Sequence, residues 1–188
     1  MRRLARVCIL AALAMAACGP AVADSWRSSG EGDSLTFVTS WDGQPLEGRF
    51  RTFKVRVDTQ EPEQAPAALI VQVETTSADM NDKELNAALG DPDWFDSTAY
   101  PAANFTTDRI ERTGENQYRA TGKLELKGQA NGATVHFDWH TDGATATLTG
   151  TAELSRSSWR VGSGEWSGEE QIPDAVQVRF NVTLARTP

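Results

Sequence analysis

Few side chains in this sequence have the type and spacing that chemistry requires. The two histidines, His136 and His140, stand four residues apart. On a helix, that spacing would bring two imidazoles to one face, within reach of a shared metal ion. Here the neighbours alternate through Val135, Phe137 and Trp139, which predicts a strand with both histidines on its polar face. At about 3.3 Å per residue the two then lie about 13 Å apart, too far to share a metal. Gly162-Ser163-Gly164 lacks the flanking residues and the strand-to-helix turn of a nucleophile elbow. No phosphate loop or dinucleotide fingerprint occurs. No spacing picks out an acid/base pair among the 26 Asp and Glu residues. The expectation is therefore a protein that binds, with no catalytic residue, no metal site and no cofactor.

The first two dozen residues read as a leader. Arg2, Arg3 and Arg6 precede an apolar run from Val7 to Ala17, and Ala21-Val22-Ala23 offers a small-x-small cleavage site. The run is shorter than the roughly 20 residues that span a bilayer. The expectation is a signal peptide over residues 1–23 and a periplasmic domain over 24–188, 165 of the 188 residues. Ala16-Ala17-Cys18-Gly19 offers a second reading, a lipoprotein signal in which Cys18 is acylated, although Met15 stands where Leu is usual. Both cysteines, Cys8 and Cys18, lie before Ala23, so the cleaved chain has no disulfide and no thiolate. The leader holds three of the 18 basic residues and none of the 26 acidic ones, leaving 15 against 26, a net charge of −11. That balance argues against nucleic acid and anionic lipid surfaces, which call for basic patches, and it favours solubility.

Strands must position whatever site exists, because period-two alternation dominates the exported part. Leu35, Phe37, Thr39 and Trp41 share a face, as do Phe53, Val55 and Val57, and Leu69, Val71 and Val73. The pattern recurs from Tyr118 to Leu126, Val135 to Trp139, Ala146 to Leu154 and Val176 to Leu184, with a weaker run at Asn104 to Glu111. That makes about eight strands. Gly114-Glu115-Asn116, Asn131-Gly132 and Asp142-Gly143 read as hairpin turns, and Asp42-Gly43 as a further turn. Asp58 to Pro66 reads as a solvated loop. Asn81 to Leu89 predicts one short helix with Asn81 as N-cap, followed by an aromatic loop from Gly90 to Pro101.

Eight antiparallel strands with one apolar face form either a sandwich or a closed barrel. Small residues among the large inward ones, Gly122, Gly150 and Ala152, favour a barrel with space inside, although glycines equally mark bends. The reading is one all-β domain.

Several blocks, taken in order, resemble the YceI-like family of exported lipocalin-like proteins. They are Gly48-Arg49-Phe50; Trp94-Phe95-Asp96 with Tyr100-Pro101 and Phe105; Gly122 to Gly128; Arg156-Ser157-Ser158-Trp159 with Val161-Gly162; and the strand Val176 to Leu184. Together they extend over most of Ser34 to Leu184. Ser77 to Asn86 departs from the family pattern, as does the stretch after Gly128. Trp94, Trp159 and Trp166 look more like the branch found beside b-type membrane cytochromes.

The resemblance implies a single antiparallel lipocalin-like barrel holding a polyisoprenoid, a quinone-like lipid or a polyprenyl phosphate. Burying about 20 carbons at about 0.8 kcal/mol each outweighs an association cost of about 4–15 kcal/mol. The expected ligand contacts are Phe37, Phe53, Phe137, Trp139 and Phe180 on inward faces, where core packing competes as the explanation, and Phe105 from the aromatic block. Trp94, Phe95 and Tyr100 on the loop either plug a barrel end or gate entry. Arg156 either meets a head group or pairs with a carboxylate, and Trp159 and Trp166 line a mouth or a docking surface. The partner is then an apolar isoprenoid-type ligand. A second reading is an adaptor for a membrane b-type cytochrome, and the chain could be monomer or homodimer in either case.

Overall fold

The computed structural model describes residues 24–30, 32–60 and 65–187. The leader expected from the sequence, with Cys8, Cys18 and the Ala23 site, lies outside them, as do residues 61–64. The strands are β1 (Ser25–Ser28), β2 (Ser34–Trp41), β3 (Gln44–Phe50), β4 (Phe53–Gln60), β5 (Ala65–Glu74) and β6 (Ala78–Asp79). After the helix α1 (Lys83–Gly90) come β7 (Ala102–Arg112), β8 (Gln117–Leu126), β9 (Gln129–Asp142), β10 (Thr145–Ser155) and β11 (Ala175–Thr187).

Eight strands close into an antiparallel barrel in the order β1-β4-β5-β7-β8-β9-β10-β11, with β11 pairing back onto β1. Closure leaves the eight-stranded cylinder without an edge. β11 serves two neighbours along one side: Leu184 to Thr187 pair with β1, while Gln177 to Asn181 pair with β2. Asp33 bridges the gap between them. Its carboxylate accepts the Thr183 N–H at 2.8 Å and the Gly30 N–H at 3.0 Å. From β2 the sheet continues to β3 and β6.

The inward faces are those that the alternation predicts, with Leu35, Val55, Leu69, Tyr118, Phe137, Leu148 and Val182 all buried. The eight predicted strands are β2, β4, β5 and β7 to β11. Alternation misses β1, the strand that closes the barrel, because four residues are too few to show a period. It also misses β3, which carries Pro45 and Gly48, and the two-residue β6.

Several local expectations are corrected. Asn131-Gly132 is no turn: Asn131 pairs with Leu124 inside β9, and the chain reverses at Lys127-Gly128, whose φ angles are 49° and 68°. Both ends of the segment Asp58 to Pro66 are strand, with β4 running to Gln60 and β5 starting at Ala65, and residues 61–64 lie outside the described residues. Thr59 within it is buried, because its Oγ1 accepts the Trp26 indole N–H at 3.2 Å. Asp82, and not Asn81, caps α1, its carboxylate accepting the Glu84 and Leu85 N–H groups.

Gly122 and Gly150 do not open the lumen. A Cβ on Gly122 would stand 2.2 Å from the Thr106 carbonyl, beside the irregularity in β7 between Thr107 and Arg109. At Gly150 it would stand 2.2 Å from the His136 carbonyl and 2.6 Å from the Phe180 ring. Both glycines let neighbouring backbone come close where the sheet coils tightly.

Candidate functional site

The barrel interior contains two apolar cavities. The inner one, about 150 Å³, is bounded by Phe53, Leu69, Phe105, Leu148 and Phe180 among others. The outer one, about 220 Å³, lies beneath α1 and two loops, with Phe37, Leu85, Trp94, Trp159 and Trp166 on its wall. Phe50, Phe95, Leu126, Leu154 and Val178 border both. The two cavities thus adjoin along the barrel interior, and together they make a channel with an inner and an outer compartment. A waist of three rings separates them: Phe37 to Phe50 at 5.3 Å, Phe50 to Phe95 at 5.7 Å and Phe37 to Phe95 at 6.4 Å between centroids.

One end of the channel is stoppered. Trp26 and Trp139 meet edge to face there, and Tyr118 stacks on Phe137 at 5.5 Å. The other end is covered by pieces of chain tied to one another by a few hydrogen bonds and ring contacts. Asp42 N–H donates to the Gln171 carbonyl at 2.9 Å, which ties the β2–β3 turn to the segment after β10. Ser163 N–H donates to the Asp93 carbonyl at 2.8 Å, which ties that segment to the aromatic loop. Trp166 sits between Trp41 and Trp94, with centroids at 5.4 and 6.0 Å.

Asp79 anchors the covering helix. Its carboxylate accepts from Asn86 Nδ2 on α1, from the Asn81 N–H, and from Arg49 and Arg51 at the end of β3. The Asn86 hydrogen bond, with those from Asn81 and the two arginines, outweighs desolvation and holds the Asp79 carboxyl at about 2.

The sequence-predicted contacts divide cleanly. Phe53, Phe105 and Phe180 border the inner cavity, Phe37, Trp94 and Trp159 the outer, and Phe95 both. Phe137 and Trp139 are corrected: they belong to the stopper and reach neither cavity. Tyr100 is also corrected. It is 39% exposed and covers Gly128 on the outside of the β8–β9 turn.

Arg156 is corrected in a different way. It borders the outer cavity, yet it pairs with no carboxylate through a hydrogen bond and has no donor left for a head group. All five guanidinium hydrogens go to carbonyls: Nε to Pro173, Nη1 to Val161 and Gly162, and Nη2 to Gly168 and Ile172, at 2.8 to 3.1 Å. The Arg-Ser-Ser-Trp block is therefore a clamp that folds the segment from 156 to 174 over the mouth. Trp159 completes it by donating its indole N–H to the Leu124 carbonyl at 2.9 Å.

Sequence reasoning missed two contributors. Phe50 borders both compartments, and its place in the early Gly-Arg-Phe block was the available signal. Thr39 lies on the wall of the outer cavity with a buried hydroxyl that has no partner. Apart from Thr39 and the spent Arg156, the channel is lined by aliphatic and aromatic side chains and the Met80 thioether. It can hold a greasy chain by burial alone. His136 and His140 are both exposed on the outer face of β9. Among the described residues no cluster of three His, Cys, Asp or Glu could hold a metal ion.

Comparison with known proteins agrees with this architecture. The YceI-like domain matches residues 26–184. Protein YceI of Shigella flexneri is 30% identical over 129 residues, 64% of each chain. A UPF0312 protein of Vibrio campbellii is 29% identical over 107 residues, 56% of this chain and 57% of that one. The chain thus spans less than two thirds of these curated relatives. The crystal structure of Burkholderia cenocepacia BcnA superposes with a TM-score of 0.78 at 33% identity, covering 83% of this chain and 98% of that one. A polyisoprenoid binding domain from Saccharophagus degradans, implicated in plant cell wall breakdown, shares the fold at a TM-score of 0.67 and 12% identity, covering 86% and 98%. The ordered sequence blocks, the closed barrel that they build and the match across nearly all of it lead to one conclusion: this chain belongs to the YceI-like domain family.

Proposed function

We propose that this protein binds the tail of an isoprenoid or similar long-chain amphiphile in the channel, and carries or stores it in the bacterial envelope without chemical turnover. The observation that carries the reading is the pair of adjoining apolar cavities inside the barrel, with the Trp26–Trp139 contact at one end and α1 with two loops at the other. The polyisoprenoid-binding neighbour with the same fold supports the tail class, and the leader motif supports the envelope. A wall with almost no polar atoms rewards length of hydrocarbon rather than any one functional group.

An adaptor role draws less support. The tryptophans that motivate it turn toward the channel: Trp159 is 3% exposed, and Trp94 and Trp166 border the outer cavity.

Native mass spectrometry of protein purified from the envelope tests the proposal. The expected spectrum carries one extra mass of lipid size per chain, removed by organic extraction. A bare chain that also fails to take up added farnesol would end the reading.

A further inference from the structure

The covered end of the channel is crowded with carboxylates. Between Asp82 and Asp96 stand five acidic residues and one lysine, and between Ser157 and Asp174 four acidic residues and one arginine. Both stretches border the outer cavity, through Leu85, Leu89, Trp94 and Phe95 in the first and Trp159, Val161, Trp166 and Ile172 in the second. Glu165 and Glu170 share a shallow cleft with Trp166 and Ile172, which are themselves on the channel wall. Asp93 reaches across the mouth to accept the Ser163 hydroxyl at 3.0 Å.

The cations at this end, Lys83, Lys127, Arg156 and Arg160, are four against nine carboxylates. The Arg156 guanidinium gives every N–H to a carbonyl and is 5% exposed. Lys127 donates to the Arg160 carbonyl at 2.6 Å and lies in the field of Asp93 and Asp96. Among the groups on the outer cavity wall is the Thr39 hydroxyl, which is buried, neutral and able to donate or accept a hydrogen bond.

From this arrangement we infer that the channel selects amphiphiles whose head group is uncharged, an alcohol or a carbonyl, and discriminates against phosphate-headed ones. The inference rests on the tail-binding reading above and adds the head-group class. A tail lying in the two compartments leaves its head among the carboxylates of the mouth. A phosphate placed there is repelled by the net negative field of the mouth, which low-dielectric walls concentrate. An alcohol pays no such cost and finds Thr39.

The test compares farnesol with farnesyl phosphate, which share one tail, by isothermal titration calorimetry on the full exported chain. At low salt farnesol is expected to bind at least about tenfold more tightly, a gap that 0.5 M NaCl narrows by screening. The triple variant Glu165→Lys, Glu169→Lys, Glu170→Lys is expected to narrow it as well, while leaving farnesol binding unchanged. Equal or tighter binding of the phosphate at low salt overturns the inference and leaves tail binding standing. A gap that neither salt nor the triple variant alters also overturns it, because shape and not charge would then be the cause. If neither probe binds to correctly folded protein, the tail-binding reading itself fails.

Discussion

Trp26 meets Trp139 edge to face, with ring centroids 5.6 Å apart and planes at 86°, and the pair stoppers one end of the barrel. The two are far apart in the chain: β1 is the first strand and closes the cylinder, and β9 belongs to its long hairpin wall. Their contact therefore locks closure and core into one event. Trp26→Ala is expected to cost about 3–5 kcal/mol, the range for deleting a large buried aromatic, because Trp26 has no exposed surface. Urea unfolding of wild type and variant checks this, and a cost below about 1 kcal/mol would show that β1 is dispensable for closure.

The waist sets the second expectation. Val178 borders both compartments, so Val178→Trp fills the passage between them. Overpacking of this kind costs about 1–3 kcal/mol, which a barrel with space beside the residue tolerates. Binding of a long-tailed probe such as farnesol is expected to fall at least about tenfold while the far-ultraviolet circular dichroism spectrum is retained. Undiminished binding would place the tail outside the channel.

Arg156 provides a case where charge is not the point. Arg156→Lys keeps the cation and loses the planar fork, so at least two of the five carbonyls lose their donor. At about 1–3 kcal/mol for each buried carbonyl left unsatisfied, the lysine variant is expected to lose about 3 kcal/mol. The loss should be local. Hydrogen exchange at the Val161 amide, which donates to the Arg156 carbonyl at 3.0 Å, should accelerate sharply while the β8–β9 amides hold.

Asp79 predicts a pH window. Its folded carboxyl titrates at about 2, below the ordinary value of 3.8, chiefly through the Asn86 hydrogen bond. The unfolded state then binds the proton more readily, so this contribution is full above about pH 4 and is lost as pH falls toward 2. Urea midpoints measured from pH 5 to pH 2 should decline in that interval. Asp79→Asn should flatten this part of the decline, and an unchanged slope would mean that other carboxylates dominate.

Gly122 sits where strands crowd. Gly122→Ala forces a Cβ to within 2.2 Å of the Thr106 carbonyl oxygen, which is backbone and cannot swing aside. A loss of about 2 kcal/mol or more is expected, well beyond an ordinary surface substitution. Thermal unfolding would measure it. A neutral result would mean that β7 relaxes freely at its irregularity.

How much of this was legible from sequence depends on the range of the interaction involved. Alternation along a single strand is local, and it placed Phe53 and Phe180 on the inner wall, whereas Phe105 was legible only from the ordered aromatic block. The waist could not be read that way, since Phe37, Phe50 and Phe95 come from two strands and a loop and meet only after closure. Trp139 shares the period of the lining residues but lies too far toward the stoppered end to touch the cavity. The role of Arg156 was hidden for another reason. Its acceptors are main-chain carbonyls between 161 and 173, and a sequence records side chains, not the direction in which carbonyls point. Asn131-Gly132 misled because a good turn dipeptide is only a propensity, and pairing Leu126 with Gln129 extends the β8–β9 ladder past it.

The stopper has a kinetic corollary. A vessel with a single doorway cannot be flushed from behind, so a resident molecule must back out before a newcomer enters. Exchange would then run at the departure rate of the occupant however much competitor is supplied. Delivery, in turn, would need an acceptor stationed at the same doorway through which loading took place.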